Sequence, residues 1–449
     1  MGSALIEGAT GKTLWGFDNA GWYASAWTTG GSLDALRVTD DERQGDVGRV
    51  RPAGLLRFSS YAPLLRGFEP YTDLAGSLRA ALPDPTALLE FAYDWRLSVE
   101  HNAKQHAVAA DQHLAAWRHH PKGSSDARLV LVGHSMGGLV ARYFTHVLGG
   151  ASDVAVTVTL GTPYYGAVKA AVILNQGRGT PVPLPKRRLR RLAATMPGLH
   201  DLLPFYRCVD EGQTARLLAA DDVATLGGDP GLAAESIARH AQLLDGEAGV
   251  LRLLVGTDQP TMQSLSLDAG KVTALQHAVR TDADGIVLAR EDLRGDETVF
   301  RRAAAAFGLS PATLPQSHGS IAKTPEAISH VLDVLRNDTL GPPLGATELG
   351  VDVPDMVSAA EPLVVRVDGP DARSATCLVH DASTGRLVAT PRLRRSRQDG
   401  EAEDLRVARV DLTEPGTYKI EVKAGGSSAV VQHTMVVAPG DLQLDEDDT

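Results

Sequence analysis

Short apolar runs alternate with longer amphipathic segments from the first residue to about residue 340. The apolar runs lie at residues 91–93, 129–132, 154–160 and 251–255. Strands that are apolar on both faces are typical of a parallel sheet covered by helices. Residues 99–118 and 324–335 have helical patterns, and Thr324 is a suitable N-cap for the second helix. The alternation predicts an α/β domain with a mostly parallel sheet over residues 1–340.

The pattern changes after a Gly/Pro-rich stretch at residues 341–347, which is typical of a linker. Short β runs separated by turn residues follow, at 363–367, 376–379, 405–412, 418–422 and 430–437. They predict a small β-sandwich over residues 348–438. Its Pro-Gly-Thr-Tyr segment, which ends at Tyr418, resembles the entry to a late strand of an immunoglobulin-like domain, although a plain hairpin turn fits equally well. Residues 439–449 have the composition of a solvated acidic tail.

Composition places the 449-residue chain among ordinary globular proteins of two or three domains, with 43% hydrophobic and 22% charged residues. A formal net charge of −11 argues against nucleic-acid binding. Cys208 and Cys377 are the two cysteines, and they fall in different predicted domains. This distribution argues against a disulfide framework, and neither cysteine has a metal-ligand spacing.

The first residues contain neither the basic nor the apolar region of a signal peptide, and no apolar run reaches 18 residues. We therefore expect a soluble, cytoplasmic protein without a transmembrane helix. An upstream signal stays open if Met1 is not the true start.

The segment Gly133-His134-Ser135-Met136-Gly137 connects the apolar run 129–132 to a helix-like segment at 139–148. In a strand–turn–helix setting, Gly-x-Ser-x-Gly predicts the nucleophile elbow of an α/β-hydrolase. The backbone N–H of Met136 would then serve as one donor of an oxyanion hole. The alternative is a Gly-rich turn whose serine only caps the following helix.

A serine nucleophile needs a base and an acid, which in this fold follow it in the order Ser, Asp/Glu, His. We predict Asp284 as the acid because a flexible glycine and an aliphatic pair follow it. Asp282 is its competitor, and Asp258 follows another apolar run but lacks a glycine after it.

We predict His318 as the base because it lies in a Gly/Ser loop before the last helix of the α/β domain. His277 is the weaker alternative, and the ring of His134 is expected to turn into neighbouring structure. A triad of this kind needs neither a metal nor an organic cofactor, so none is expected.

Residues 171–192 are rich in Gly, Pro and basic side chains and follow the strand after the elbow helix. Two interpretations stay open. One is a solvated surface loop, and the other is a lid that makes transient contact with anionic headgroups at a membrane surface.

Taken together, these residues resemble the lecithin:cholesterol acyltransferase family of lipases and acyltransferases. The segments that carry the resemblance are Met1-Gly2-Ser3-Ala4-Leu5, Tyr93-Asp94-Trp95-Arg96, Gly133 to Gly138, Leu160 to Gly166, Met196-Pro197 through Pro204, Asp284 to Val287, and His318. They cover residues 1 to about 335 and leave out the predicted sandwich. The resemblance implies an α/β-hydrolase fold and an acyl-enzyme on Ser135 that passes a lipid acyl group to water or to an alcohol.

One departure from the family concerns its early loop, which follows a hydrophobic strand ending in Pro-Gly. Here Met1 falls inside that loop, so the strand and the second oxyanion N–H are expected to be missing or to lie upstream. Two other functions stay open beside the lipid enzyme. One is a carboxylesterase for small soluble esters, and the other is a non-catalytic lipid- or protein-binding module. The expected partner is a lipid or other ester, and the sequence names no protein partner for the sandwich.

Overall fold

The computed structural model describes residues 2–16, 31–56, 71–179, 184–336, 348–396, 403–425 and 429–438. The predicted linker at 341–347, the predicted tail at 439–449 and residues 180–183 of the predicted lid lie outside these ranges. No helix among the described residues combines the length and the apolar character that crossing a membrane requires.

The helices of the described residues alternate with strands through the first three quarters of the chain. They are α1 Gly31–Asp34, α2 Asp40–Arg43, α3 Thr72–Ala81, α4 Val99–Arg118, α5 Met136–Arg142, α6 Val168–Gln176, α7 Lys186–Ala193, α8 Pro197–His200, α9 Ala220–Thr225, α10 Pro230–Leu244, α11 Arg301–Ala304 and α12 Pro325–Arg336. Single helical turns lie at Pro85–Ala87, Tyr143–Val147, Gly150–Asp153 and Pro370–Arg373.

The strands up to residue 314 are β1 Ser3–Glu7, β2 Thr13–Trp15, β3 Val50–Leu55, β4 Leu129–His134, β5 Val154–Leu160, β6 Val209–Asp210, β7 Ala215–Arg216, β8 Leu251–Gly256, β9 Ser264–Asp268, β10 Lys271–Leu275, β11 Ala278–Thr281, β12 Val287–Glu291 and β13 Ala312–Leu314. The later strands are β14 Gly350–Asp352, β15 Met356–Ser358, β16 Leu363–Asp368, β17 Thr376–Asp381, β18 Leu387–Ala389, β19 Arg394–Arg395, β20 Arg406–Val410, β21 Gly416–Lys423 and β22 Val430–Val437.

The central sheet has the order β13-β8-β5-β4, and all of its neighbouring strands run parallel. Leu253 and Val255 of β8 pack into one apolar core, and Leu254 between them packs into a second. The first core includes side chains of α4, α5 and α6, and the second includes side chains of α3 and α12. Helices therefore cover both faces, which explains why the strands are apolar on consecutive positions. The α/β prediction is confirmed.

The prediction of a strand end at residues 91–93 is wrong. No strand is assigned between residues 88 and 94, and the Tyr93 N–H donates to Ser3 Oγ at 3.1 Å. Among the described residues, β4 has a strand partner on one side only, β5. Without a neighbouring strand, an apolar run has no partner for backbone hydrogen bonds and forms no strand. The apolar pattern of a sequence does not show whether such a neighbour is present.

Among the described residues up to 314, three smaller sheets accompany the central one, and their strand pairs are antiparallel except for β6 with β9. β1 pairs with β2 and β3, β9 pairs with β10, and β11 with β12 forms a separate hairpin. This hairpin contains the predicted acid loop, so that loop does not follow a strand of the central sheet.

The described residues between 348 and 438 contain two further sheets, with the orders β14-β16-β20-β19 and β15-β22-β21-β17-β18. Buried and partly exposed residues alternate along all eight positions of β22. The buried sides of both sheets share one apolar core, which contains Val365, Ile420 and Cys377. We call this unit the C-terminal sandwich. Cys208 is buried in the first core of the α/β unit, and both cysteines are free thiols.

Candidate active site

Ser135 lies in the turn between β4 and α5 with φ 54° and ψ −129°. Positive φ is uncommon for a residue with a side chain and is stored strain when its surroundings enforce it. Two hydrogen bonds fix the turn: the Ser135 N–H donates to Leu160 O at 2.9 Å, and Thr162 Oγ1 donates to Ser135 O at 3.1 Å. The end of β5 therefore holds the elbow in its strained conformation.

The glycines of the elbow differ in how little space the structure leaves for a side chain at each position. A Cβ on Gly133 would lie 2.7 Å from Gly138 N, and a Cβ on Gly138 would overlap Thr162 Oγ1. A Cβ on Gly137 would meet only the Tyr93 hydroxyl oxygen, at 3.9 Å. The close approach of β4, α5 and the Thr162 turn thus requires Gly133 and Gly138 more than the last glycine of the motif.

His318 lies in the loop between β13 and α12, and its Nε2 is 2.9 Å from Ser135 Oγ. Its own N–H donates to Asp296 O at 2.7 Å, which fixes the backbone beneath the ring. The structure therefore brings together the predicted nucleophile and the predicted base, and their catalytic roles are proposed below.

The carboxylate beside His318 belongs to Asp296, whose Oδ2 is 2.8 Å from His318 Nδ1. Asp296 is 1% exposed, and its Oδ1 accepts the N–H groups of Thr298 and Val299 at 3.0 and 2.7 Å. These bonds fix the carboxylate in place. Because Nδ1 faces a carboxylate, it carries the ring proton in this arrangement, and Nε2 is left to accept from the serine hydroxyl.

The sequence prediction of Asp284 as the acid is wrong in its geometry. Asp284 is exposed at the tip of the β11–β12 hairpin, and Ile286, which was expected to anchor the loop, is 51% exposed. Asp282 accepts the N–H groups of Asp284 and Ile286 at 3.1 and 2.9 Å. The Asp-x-Asp-Gly sequence is therefore the hydrogen-bonded turn of a hairpin, a common use of these residue types.

The weaker candidates for the acid and the base also lie away from this site. Asp258 accepts the hydroxyl of Thr257 at 2.9 Å, and burial raises its pKa. His277 Nε2 lies 3.1 Å from Asp210 Oδ2. Hydrogen bonds from Arg290 hold the pKa of Asp210 far below its ordinary value, so this cluster is a structural ion pair at one side of the β11–β12 hairpin.

One signal in the sequence pointed to Asp296. The family's acid loop reads Asp-(Gly/Asp)-Thr-Val, and residues 296–299 read Asp-Glu-Thr-Val, with threonine and valine in place. Residues 284–287 keep the glycine instead and lose the threonine. Choosing by the glycine gave the wrong loop, because the carboxylate is fixed by the N–H groups of the threonine and the valine.

The ring of His134 lies between the backbone of the His318 loop and the side chain of Tyr71. Its Nε2 lies 2.9 Å from His318 O, and its Nδ1 lies 2.9 Å from the Tyr71 hydroxyl. A carbonyl oxygen only accepts, so Nε2 carries the proton and Nδ1 accepts from the tyrosine. Burial, followed by repulsion from His318, lowers the pKa of His134 to about 3, which keeps this ring neutral.

Met136 is the first residue of α5 and lines the same cavity as Ser135 and Gly2. An N–H in the first turn of a helix has no partner within the helix. The Met136 N–H is therefore available to an oxygen atom that develops negative charge beside Ser135.

A cavity of about 330 Å³ opens beside Ser135 and His318. Its apolar wall is contributed by Trp15, Leu56, Trp95, Met136, Ile173, Leu184, Leu189, Leu192, Met196, Leu199 and Leu202. Its polar wall is contributed by Lys169, Glu297, Thr298, Ser317, Ser320, Lys323, Asp355, Gln432 and His433. The last three residues lie in the C-terminal sandwich, so the cavity is built from both units.

The predicted lid, residues 171–192, consists in its described part of the end of α6, residues 177–179 and 184–185, and all of α7 but its last residue. Leu189 and Leu192 of α7 are buried and face the cavity, and Arg187, Arg190 and Arg191 on the same helix are exposed. This helix is therefore amphipathic, with its apolar side forming part of the cavity wall.

The Tyr93-Asp94-Trp95-Arg96 segment contributes Tyr93 and Trp95 to the cavity wall and contains a buried ion network. Arg96 is fully buried and makes two hydrogen bonds to the Asp94 carboxylate, at 2.9 and 2.7 Å, and a third to Glu42 at 2.9 Å. Burial disfavours the cation, but the two carboxylates outweigh it and raise the pKa of Arg96. The Trp95 indole N–H donates to Ser3 O at 3.1 Å, which ties β1 to this network.

The lecithin:cholesterol acyltransferase family model matches residues 51–225 of this chain. The matched range includes Ser135, the Tyr-Asp-Trp-Arg segment and α7, and it ends before Asp296 and His318. The resemblance to that family is confirmed for these residues. The match supports an enzyme that hydrolyses or transfers lipid acyl groups.

Among solved structures, a chain of the Tle4–Tli4 complex gives a likeness of fold. A chain in the crystal structure of the Tle4–Tli4 complex superposes with a TM-score of 0.51 at 16% identity, covering 75% of this chain and 96% of that one. The mature form of the Bacillus licheniformis lipase BlEst2 matches at 14% identity over 50% of this chain and 69% of its own, with a TM-score of 0.27. No match was found among curated protein sequences.

Proposed function

We propose that this protein is a serine-dependent lipid acylhydrolase or O-acyltransferase that works through an acyl-enzyme on Ser135. The observation that carries the proposal is the unbroken series of short contacts from Asp296 through His318 to Ser135 Oγ, opening into the cavity. In this proposal Ser135 is the nucleophile, His318 the base and Asp296 the acid.

The proton path follows from these contacts. His318 Nε2 accepts the Ser135 proton as Oγ attacks the ester carbonyl carbon. The imidazolium that forms is stabilised by Asp296, and Nε2–H then protonates the leaving alcohol. Water or a second alcohol, deprotonated by the same nitrogen, attacks the acyl-enzyme and restores Ser135. The Met136 N–H stabilises the oxyanion in both steps.

The apolar wall of the cavity supports a long acyl chain as the group transferred to Ser135. Two tryptophans and a row of leucine and methionine side chains face this space. Removing apolar surface from water stabilises binding by roughly 25 cal/mol per Å². A fatty acyl chain gains more from this wall than the acyl group of a small soluble ester. The exposed arginines of α7 support transient contact with anionic headgroups.

We also propose an immunoglobulin-like topology for the C-terminal sandwich and a domain boundary at residues 341–347. The Tyr418 hydroxyl donates to Glu414 O at 2.8 Å, the contact made by the tyrosine corner of such domains. In addition, β15 runs parallel to β22 at the edge of the five-stranded sheet.

The test is labelling with a fluorophosphonate probe and hydrolysis of p-nitrophenyl esters of increasing chain length. We expect the label on Ser135 and a kcat/KM that rises with chain length. Ser135→Ala should lose the label and roughly 10⁶ of kcat while keeping the wild-type Tm.

Three results would oppose the proposal. Retention of more than a tenth of the activity by Ser135→Ala would remove Ser135 from its role. A folded wild type that resists the label and hydrolyses no ester would favour a binding module, and a preference for acetate over long chains would favour a carboxylesterase.

A further inference from the structure

The first half of β22 in the C-terminal sandwich contacts both loops that carry the proposed acid and base. β15 pairs with β22 only from Met435 onward, so β15 does not cover that edge of the strand over residues 430–434. Edge strands present unpaired backbone groups that bind whatever packs beside them. In this protein the neighbours are residues 316–320 and residues 296–298.

Three side chains of the His318 loop donate to backbone carbonyls at this edge. Ser317 Oγ and Ser320 Oγ both donate to Val431 O, at 2.8 and 3.1 Å, and Gln316 Nε2 donates to Ala429 O at 2.8 Å. The donors flank His318 on both sides and are each 4% exposed or less. Buried hydroxyl and amide donors of this kind cost free energy when they lose their acceptors.

The acid loop is held by the next residue of the same strand. Gln432 is 7% exposed, and its Nε2 donates to Glu297 Oε1 and, at 2.5 Å, to Val351 O. Glu297 directly follows Asp296 and has a φ of 77°, so its backbone is strained. Its N–H donates to Thr261 Oγ1 at 2.9 Å. The Gln432 amide and Thr261 thus fix the two ends of Glu297.

We infer that the C-terminal sandwich is a positioning element of the active site, with β22 holding the His318 loop through Val431 O and the Asp296 loop through Gln432. Ser317, Ser320 and Gln432 are positioning residues: they line the cavity wall, but their side-chain hydrogen bonds join β22 to the two loops and do not reach the side chains of Ser135, His318 or Asp296. The inference rests on the proposed function of Ser135, His318 and Asp296.

The physical reason is geometric precision. Proton transfer from Ser135 requires Nε2 to stay within hydrogen-bond reach of Oγ, and a displacement of 1 Å can lower a rate by about 10²-fold. The backbone of His318 also bonds to Asp296 O and to His134 Nε2, and both of these contacts lie on the α/β side. The contacts with β22 fix the loop from the opposite side.

The test uses the full chain with Ser317→Ala/Ser320→Ala, which removes both hydroxyl donors to Val431 O. We expect kcat for a p-nitrophenyl ester to fall roughly 10- to 100-fold, KM to stay within about twofold, and the rate of fluorophosphonate labelling to fall with kcat. The matched control is Ser236→Ala, which removes another buried hydroxyl that donates to a backbone carbonyl, His200 O, at 2.8 Å. It should lose comparable Tm and keep kcat.

A second variant changes the β22 side of the contact, and it tests the inference if the double variant does not fold. Gln432→Ala should lower kcat by more than fivefold, while Thr434→Val on the same strand should not. Thr434 Oγ1 donates to Pro354 O within the sandwich, at 2.6 Å.

Two results overturn the inference while leaving the proposed function standing. If Ser135 is labelled in the wild type and both the double variant and Gln432→Ala keep wild-type kcat and labelling rates, the sandwich has no positioning role. Equal losses of kcat in the variants and in their controls would reduce the contact to general stability. Absence of labelling in the wild type overturns the proposed function instead, and this inference with it.

Discussion

Two acidic loops lie twelve residues apart in sequence and in opposite surroundings. Residues 282–285 form the tip of a hairpin, where Asp282 accepts backbone N–H groups and Asp284 is exposed to solvent. Residues 296–299 are packed between the ends of β8 and β13, and there the same kind of bond, carboxylate to backbone N–H, is buried. The local motif is therefore shared, and the neighbouring sheet decides which carboxylate reaches a histidine.

The sharpest way to break this comparison is to neutralise each carboxylate. Asp296→Asn should lower kcat about 10⁴-fold, because an amide beside Nδ1 no longer fixes the imidazole tautomer or stabilises the imidazolium. Asp284→Asn is the matched control and should stay within about twofold of the wild type. Steady-state kinetics with one ester measures both. Equal losses of kcat in the two variants would mean that Asp284 also acts on the site, through contacts other than those described.

A second test uses the glycine near each loop. A Cβ on Gly256 would overlap Asp296 Cβ and lie 2.8 Å from Gln316 O, so it would push the acid loop and the histidine loop apart. We expect Gly256→Ala to lower kcat by roughly 10².

Gly285 offers the contrasting case, since its φ is 86° and an added Cβ would overlap the flexible end of Arg207 and lie 2.9 Å from Ala215 O, both away from the two loops of the site. Gly285→Ala should lower the free energy of unfolding by about 1–2 kcal/mol and leave kcat intact. Thermal melts and steady-state kinetics on the two variants measure both effects. A drop in kcat for Gly285→Ala would contradict the conclusion that the hairpin loop lies apart from the active site.

The smallest expected effect concerns pH and Glu297. Burial raises the pKa of Glu297 from 4.5 to about 8. The folded protein therefore holds this proton where the unfolded chain has released it, and the stabilisation is complete below pH 4.5 and is lost as pH rises through 8. Glu297→Gln keeps the acceptor for Gln432. As the pH rises from 5 to 8, the Tm of this variant should therefore fall by less than the Tm of the wild type.

Melting curves at both pH values measure this difference, with the exposed Glu361→Gln as a control that keeps the wild-type slope. If the Glu297 variant also keeps that slope, Glu297 is ionised in the folded state at neutral pH.

The parallel sheet was predictable because both of its faces are buried, which leaves continuous apolar runs in 154–160 and 251–255. The elbow and the Thr324 cap were predictable because each is a local constraint: Ala327 N–H donates to Thr324 Oγ1 at 3.3 Å, as an N-cap requires. Ser135 and His318 follow from such local signals.

The acid was predicted wrongly because the choice of Asp284 rested on the glycine that follows it. Rejecting Asp284 required knowing that β11 and β12 form a hairpin outside the central sheet, and finding Asp296 required giving the threonine and valine of the family's loop more weight than its glycine. The contacts of β22 with the site were equally beyond the sequence. Val431 and Ser317 are 114 residues apart, and no periodicity connects them.

The late position of β22 also sets an order of events during synthesis. The nucleophile elbow at residues 133–138 is translated long before residue 431, and the acid loop precedes Gln432 by 135 residues. At about 5–20 residues per second, a ribosome needs roughly 7–27 s to cover that interval. With β22 in the positioning role inferred above, a nascent chain carries its serine and acid for that time, and its base for most of it, without the contacts that align them. Esterase activity then becomes a report on completed translation: chains that stop short, or that proteases cut before β22, should release little active enzyme.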